Sequence, residues 1–355
     1  MILRNFFITA FIVIFLVSCS QPDQEWNSYG MDLSNQRFSR ITQINKTNVE
    51  TLEMAWQVQT GVQATFQSTP IVHEGIMFVS LPFNNVLALD AKTGNEIWRY
   101  EHDLNPNWKL CCGPSNRGVA LQGKQLFFGT VDARLISLNI KTGEKIWDIN
   151  VVKNNVETES ISDLDESDAN SDKQISGGTG VGISMAPVVY NGKVIIGITG
   201  VGYGLHVEEE GANTPLGAVV GVSGKYGRSG FLAAYDIHSG QQIWQFNTIL
   251  ETGWEGNFNN FIEDGLTLNR DIYHEKATLD KYPNAAQFGG GSAWTTPAID
   301  KETNTLFFGT GNPSPQMSGE TRPGDNLYTV SIVALDAETG NLKWYYQQVP
   351  HDIWG

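Results

Sequence analysis

One twelve-residue segment occurs four times in this chain, and that recurrence constrains the fold more than any other feature. Leu87–Trp98 (Leu-Ala-Leu-Asp-Ala-Lys-Thr-Gly-Asn-Glu-Ile-Trp) returns at Ile136–Trp147, at Ala233–Trp244 and at Val333–Trp344, and a degenerate copy ends at Ala55-Trp56. Alternating apolar residues specify a strand, Asp-x-x-Thr-Gly specifies a tight turn, and the Trp closes the returning strand. A second strand pair with its own turn precedes each copy, as in Pro70–Val79 and Pro187–Ile196. Two hairpins make a four-stranded blade, and a blade buries both faces only by stacking on neighbours around an axis. The expected fold is therefore all-β, a propeller of four-stranded blades closed by Trp.

The tryptophans are spaced unevenly: 49 residues from Trp98 to Trp147, then 97 to Trp244 and 100 to Trp344. The long gaps hold insertions near 154–176, 205–222 and 250–288. The first is rich in Ser, Asp and Glu and reads as a solvated loop; the third is aromatic enough for an ordered lid or rim. Four or five blades are visible, the lower limit for a closed ring, so the sequence reads as cut short. A formal charge of −15 opposes nucleic-acid binding, which needs clustered Lys and Arg.

Residues 1–18 have the form of an export signal: Arg4, then a short apolar run from Phe6 to Val17. Leu16-Val17-Ser18-Cys19 is similar to a bacterial lipobox, which would lipidate Cys19 and leave residues 19–25 as a tether for a domain at 26–355. A periplasmic, membrane-anchored lipoprotein is the expected location, with Ser20 favouring the outer membrane. The other cysteines, Cys111 and Cys112, are adjacent. Either they pair through a strained small ring or both stay reduced, and an oxidising compartment favours the pair.

Motifs between the repeats carry a specific resemblance. Trp26-Asn-Ser-Tyr-Gly30, Asn35-Gln-Arg-Phe-Ser39, Cys111-Cys-Gly-Pro-Ser-Asn-Arg117, Gly289-Gly-Gly-Ser-Ala-Trp294, Gly309-Thr-Gly-Asn312 and Arg322-Pro-Gly-Asp-Asn326 run in order along the chain. Together they resemble the pyrroloquinoline quinone (PQQ) dehydrogenases of the alcohol and methanol branch, whose propellers have eight blades. The resemblance implies a Cys111–Cys112 disulfide against one face of the quinone and Trp294 beneath the other. It places Arg117, Ser184 and Gln67 at the cofactor and makes Asn312 a ligand of Ca²⁺ or a lanthanide. PQQ is flat and tricarboxylated, so stacking walls and a guanidinium suit it. A hard cation would polarise its carbonyl.

Three positions depart from the family pattern. Gln67 stands where many members carry Glu. The family's Glu metal ligand has no counterpart in Gly200–Gly204 or Gly224–Gly227, although Glu208–Glu210 lie nearby. The catalytic Asp position falls on Gly355, which leaves the catalytic residue unassigned. Asp325, beside Pro-Gly, reads as a turn residue.

The expected function is PQQ-dependent oxidation of an alcohol or polyol. The chain has no Cys-x-x-Cys-His haem motif, so a separate cytochrome c or quinone would take the electrons. The alternative is a lipoprotein propeller scaffold of the barrel-assembly type, and a degenerate member that binds a ligand without turning it over is a third reading. A scaffold has no use for Cys111-Cys112, Trp294 and Asn312 together. Intact-mass analysis is expected to show Cys111 and Cys112 oxidised to each other; two free thiols would contradict the implied disulfide.

Overall fold

Each repeat begins on an Asp or Asn whose side chain folds the chain back on itself. Asp90 Oδ1 accepts from the backbone N–H of Lys92 and Thr93 at 3.0 and 2.7 Å and from the Thr93 hydroxyl at 2.8 Å. Asn139, Asp236 and Asp336 repeat the pattern. The bonds hold the Asp90 carboxyl below its usual range, the Thr93 hydroxyl contributing most. Four residues after the Asp or Asn, a glycine closes the turn with positive φ, +75° at Gly94 and +73° at Gly143.

The computed structural model describes residues 25–104, 114–152, 174–175, 182–199, 207–208, 229–314 and 319–353. Their strands form four four-stranded antiparallel sheets, the blades of a β-propeller. Blade one is β1 (Ile71–His73), β2 (Ile76–Leu81), β3 (Asn85–Asp90) and β4 (Glu96–Tyr100). Blade two is β5 (Ala120–Gln122), β6 (Gln125–Gly129), β7 (Arg134–Asn139) and β8 (Lys145–Asn150). Two short strands, β9 (Gln174–Ile175) and β12 (Val207–Glu208), come from the first two insertions and pair with each other. Blade three is β10 (Val188–Tyr190), β11 (Lys193–Gly197), β13 (Phe231–Asp236) and β14 (Gln242–Asn247). Blade four is β15 (Ala298–Asp300), β16 (Thr305–Gly309), β17 (Ser331–Asp336) and β18 (Leu342–Gln347). The segment between blades three and four folds around a short helix, α1 (Ile272–Thr278), capped by the Asp271 side chain.

Blade stacking explains the continuous apolar runs. Leu126, Phe127 and Phe128 of β6 are all fully buried. Alternate side chains point to opposite faces, so Leu126 and Phe128 pack with Phe78 and Trp98 of blade one, while Phe127 packs with Val194 and Tyr235 of blade three. The repeat Trp completes each interface. Trp98 Nε1 donates to the Ile140 carbonyl at 3.0 Å, and Trp147 Nε1 to that of Ile237 at 3.0 Å. Trp56, from the degenerate copy, donates to Ala91 at 3.2 Å. The ring of each Trp lies on the turn glycine of the following repeat. A Cβ added at Gly94 would stand 2.7 Å from the Trp56 ring, and one at Gly143 would stand 2.7 Å from that of Trp98. Trp98 and Trp244 are 8% and 7% exposed, whereas Trp344 is 47% exposed, and among the described residues no further repeat turn follows to receive it.

The N-terminal segment ties distant blades together. Val72 N–H of β1 donates to the Trp26 carbonyl at 2.8 Å, and Ile299 N–H of β15 donates to that of Leu33 at 2.7 Å. Asn35 Nδ2 adds bonds to the Thr296 and Pro297 carbonyls at 3.1 and 3.0 Å. The Trp26–Ser39 motifs therefore act as a strap between blades one and four.

Gly143→Ala meets both a left-handed backbone and the Trp98 ring, and is expected to cost about 2–4 kcal/mol. Gly123→Ala, at a positive φ in open space, should cost about 1 kcal/mol. Denaturant midpoints of the two variants check this; equal losses would show that the indole contact contributes nothing.

Candidate functional site

The lead-in to the first strand of every blade emerges at one end of the sheets. Gln67 precedes β1, Arg117 precedes β5, Ser184 precedes β10 and Trp294 precedes β15, each by three or four residues. The first strands line the axis, where β5 and β10 approach each other. Backbone bonds then link the lead-ins in series. Thr69 N–H donates to the Arg117 carbonyl at 2.9 Å, and Arg117 N–H to that of Ser184 at 3.0 Å. The Thr296 hydroxyl reaches the Ala186 carbonyl at 2.8 Å. Topology thus gathers four residues separated by up to 227 positions in the sequence.

Arg117, Ser184 and Trp294 meet. Arg117 Nη1 donates to Ser184 Oγ at 2.8 Å and to its carbonyl at 3.3 Å. The guanidinium carbon lies 5.0 Å from the Trp294 ring centroid, within cation–π range. Buried Asn116 shapes the approach, donating to the Gly129 carbonyl at 2.7 Å and accepting from Gly118 N–H at 2.9 Å. Burial pushes the Arg117 pKa down, and among the described residues no carboxylate pairs with it. Trp294 is 44% exposed although its neighbour Ala293 is fully buried, so the indole is an open surface and not part of the core. Gln67 is exposed two residues before Thr69.

Asn312 leaves the second strand of blade four at the same end. Its carbonyl accepts from Gly291 N–H at 2.9 Å, which joins it to the Gly289–Trp294 segment. Its Nδ2 donates to Asp352 Oδ2 at 2.8 Å. Cys19, Cys111, Cys112, Gly355, the Gly200–Gly204 and Gly224–Gly227 segments, Glu209 and Glu210 lie outside the described residues, and Glu208 is described only as backbone. Among the described residues, no three His, Cys, Asp or Glu side chains converge to hold a metal.

Sequence reasoning missed a buried polar network behind Asn312. Asp325, which follows Pro323-Gly324, is fully buried. It accepts from Arg270 Nη1 at 2.6 Å, from Asn259 N–H at 2.8 Å and Nδ2 at 2.9 Å, and from Asn257 N–H at 3.0 Å. Arg270 also pairs with Glu275 of α1 at 2.6 Å, and Glu275 accepts from Gly324 N–H at 2.9 Å. Fully buried Arg322 donates to Asn326 Oδ1 and to the Asp352 carbonyl, each at 2.6 Å. Burial brings its pKa down to about 10. His351, whose pKa burial and the Arg322 charge lower, contacts the Gly324 carbonyl through Nδ1 at 2.7 Å. The only signal in the sequence was the charge of Arg270 and Glu275 within an aromatic insertion.

Residues 26–355 match the PQQ family model described as glucose/ethanol/alcohol dehydrogenase, beta-propeller domain, and the chain belongs to that family. It is 32% identical over 327 residues to the quinoprotein alcohol dehydrogenase PedH of Pseudomonas putida, covering 92% of this chain and 46% of that protein. Subunit 1 of the methanol dehydrogenase [cytochrome c] of Methylobacterium organophilum is 32% identical over 351 residues, covering 96% and 48%. The crystal structure of the quinohemoprotein alcohol dehydrogenase from Comamonas testosteroni superposes with a TM-score of 0.67 at 32% identity, covering 93% of this chain and 42% of that one. The chain spans less than half the length of these relatives.

Glu275 supplies a pH test of the network. Burial alone would raise its carboxyl pKa, but the Arg270 bond, the Gly324 N–H and the neighbouring cations outweigh it and hold the pKa below the usual range. A folded pKa below the unfolded one stabilises above the unfolded value, and that stability is lost as pH falls through the folded one. Melting temperatures between about pH 7 and pH 3 are expected to fall less steeply for Glu275→Gln than for the parent. Parallel curves would remove Glu275 from the acid-sensitive contacts.

Proposed function

We propose that this chain forms the quinone-binding part of a PQQ-dependent dehydrogenase that oxidises an alcohol or polyol. The observation that carries this reading is the partly buried Arg117 guanidinium beside an open indole face. A desolvated cation without a described carboxylate partner favours an anion, and an exposed indole on a rigid segment favours a flat ring. A planar, carboxylated quinone satisfies both. The residues present therefore fit PQQ, with Trp294 as the stacking floor, Arg117 and the Ser184 hydroxyl as donors, and Gln67 at the margin. Cys111 and Cys112 would supply the opposite wall.

Bound beside these residues, PQQ would supply a hydride acceptor for alcohol oxidation. Arg117 neutralises ligand carboxylate charge, and the Ser184 bonds hold its guanidinium in place. Trp294 excludes water from one ring face. Asn312, an oxygen donor beside the Asp352 carboxylate, fits a hard cation such as Ca²⁺ or a lanthanide, which takes several further oxygens. The proposal extends to location and partners: export, a lipid tether at Cys19, and transfer of electrons to a separate cytochrome c or quinone carrier.

Titration of the purified chain with PQQ, with and without Ca²⁺ or La³⁺, is expected to quench Trp fluorescence saturably and with a cation requirement. Arg117→Ala should weaken binding by about 1.5–3 kcal/mol, roughly ten- to a hundredfold, as loss of a charge-assisted hydrogen bond does. Trp294→Ala should weaken it by about 1–3 kcal/mol. Saturable binding that neither substitution alters would place the quinone elsewhere, and no binding under any cation would favour the scaffold.

A further inference from the structure

The lead-in that delivers Arg117 to the axis has no helix or strand to hold it, and one buried side chain stands in for them. Asn116 is 2% exposed, and a buried amide is costly unless both its oxygen and its nitrogen find partners. Both do. Oδ1 accepts from the Gly118 N–H at 2.9 Å, which closes a turn across Arg117, and Nδ2 donates to the Gly129 carbonyl at the end of β6 at 2.7 Å. The Asn116 carbonyl accepts from buried Ser80 Oγ at 3.4 Å, and Ser80 Oγ lies 3.0 Å from Ser68 Oγ of the blade-one lead-in. The turn has little room to relax: a Cβ added at Gly118 would stand 3.2 Å from Ala186 Cβ and 3.3 Å from the Thr69 carbonyl oxygen.

These bonds set the direction in which the Arg117 side chain leaves the backbone. Its guanidinium meets two other lead-ins at once, the Ser184 oxygens through Nη1 and the Trp294 indole at 5.0 Å. A backbone turned at residue 117 would swing the far end of so long a side chain away from both. A binding group keeps its geometry only when the residues behind it are locked.

We infer that Asn116 is a positioning residue of the quinone site: its amide sets the turn from which Arg117 reaches the Trp294 indole, and so governs how tightly a carboxylated ring is held. This deepens the reading of Arg117 and Trp294 as the quinone receivers and rests on it.

Two probes separate recognition of charge from the shape of the pocket: PQQ, and its trimethyl ester, which keeps the flat ring and carries no carboxylate. In Trp-fluorescence titrations of the full chain with Ca²⁺ present, Asn116→Ala is expected to weaken PQQ about tenfold and to leave the ester within about twofold of the parent, because a displaced guanidinium forfeits charge-assisted bonds. In an Arg117→Ala background Asn116→Ala should cost PQQ nothing further, since it acts through Arg117. Gly123→Ala, a destabilised control in the β5–β6 turn at the other end of the blade, should bind both probes as the parent does. Equal weakening of PQQ and ester, an additive loss in the double variant, or the same loss of PQQ in Gly123→Ala would make the role of Asn116 structural and overturn the inference. Unaltered PQQ binding in Asn116→Ala would overturn it too. In each of these cases the quinone reading stands if Arg117→Ala weakens PQQ and spares the ester. A parent chain that binds no PQQ, or binding that Arg117→Ala leaves untouched, would remove that reading and the inference with it. Unfolding midpoints confirm that each variant is folded.

Discussion

The seat of each tryptophan ring on the glycine of the next repeat is the contact on which the rest of this structure depends. It specifies two things at once. The Asp-x-x-Thr-Gly turn must be made with its glycine at positive φ, and the neighbouring blade must stand at the distance an indole bridges. The Nε1 bonds of Trp56, Trp98 and Trp147 then set the height of one blade against the next. Because the interfaces on both sides of blade two are apolar, its strand β6 carries Leu126, Phe127 and Phe128 without a polar break.

That stacking also builds the candidate site. Blades in register bring their lead-ins to one end of the axis, and those lead-ins bond to one another through their backbones at Thr69, Arg117 and Ser184. No local structure joins Arg117 to Trp294; the join exists because each precedes a first strand. In a site made this way buried Ala293 adjoins exposed Trp294, and the Arg117 guanidinium lies over that indole. Recognition of a flat anion is the chemistry we propose for it, and residues 26–355 belong to the PQQ family.

The legible part of this protein was what repetition or motif wrote into the chain. The four turns and the blades could be read because each recurs along the sequence, whereas Arg117, Ser184 and Trp294 were singled out by resemblance to family motifs. The burial of Asp325 was not legible, because the partners of its carboxylate, Arg270 and Asn259, lie 55 and 66 residues away in an insertion with no repeated counterpart. The Asn312–Asp352 bond spans 40 residues and was hidden for the same reason. Pairings of that kind follow from blade packing, and nothing local announces them.

The central claim is that Arg117 and Trp294 together receive a planar, carboxylated quinone. A crystal structure of the chain grown with PQQ and Ca²⁺ tests it most directly. The quinone ring is expected to stack on the Trp294 indole with a carboxylate oxygen about 2.7–2.9 Å from the Arg117 guanidinium. A quinone bound away from Trp294, or one whose carboxylates leave Arg117 untouched, would contradict it.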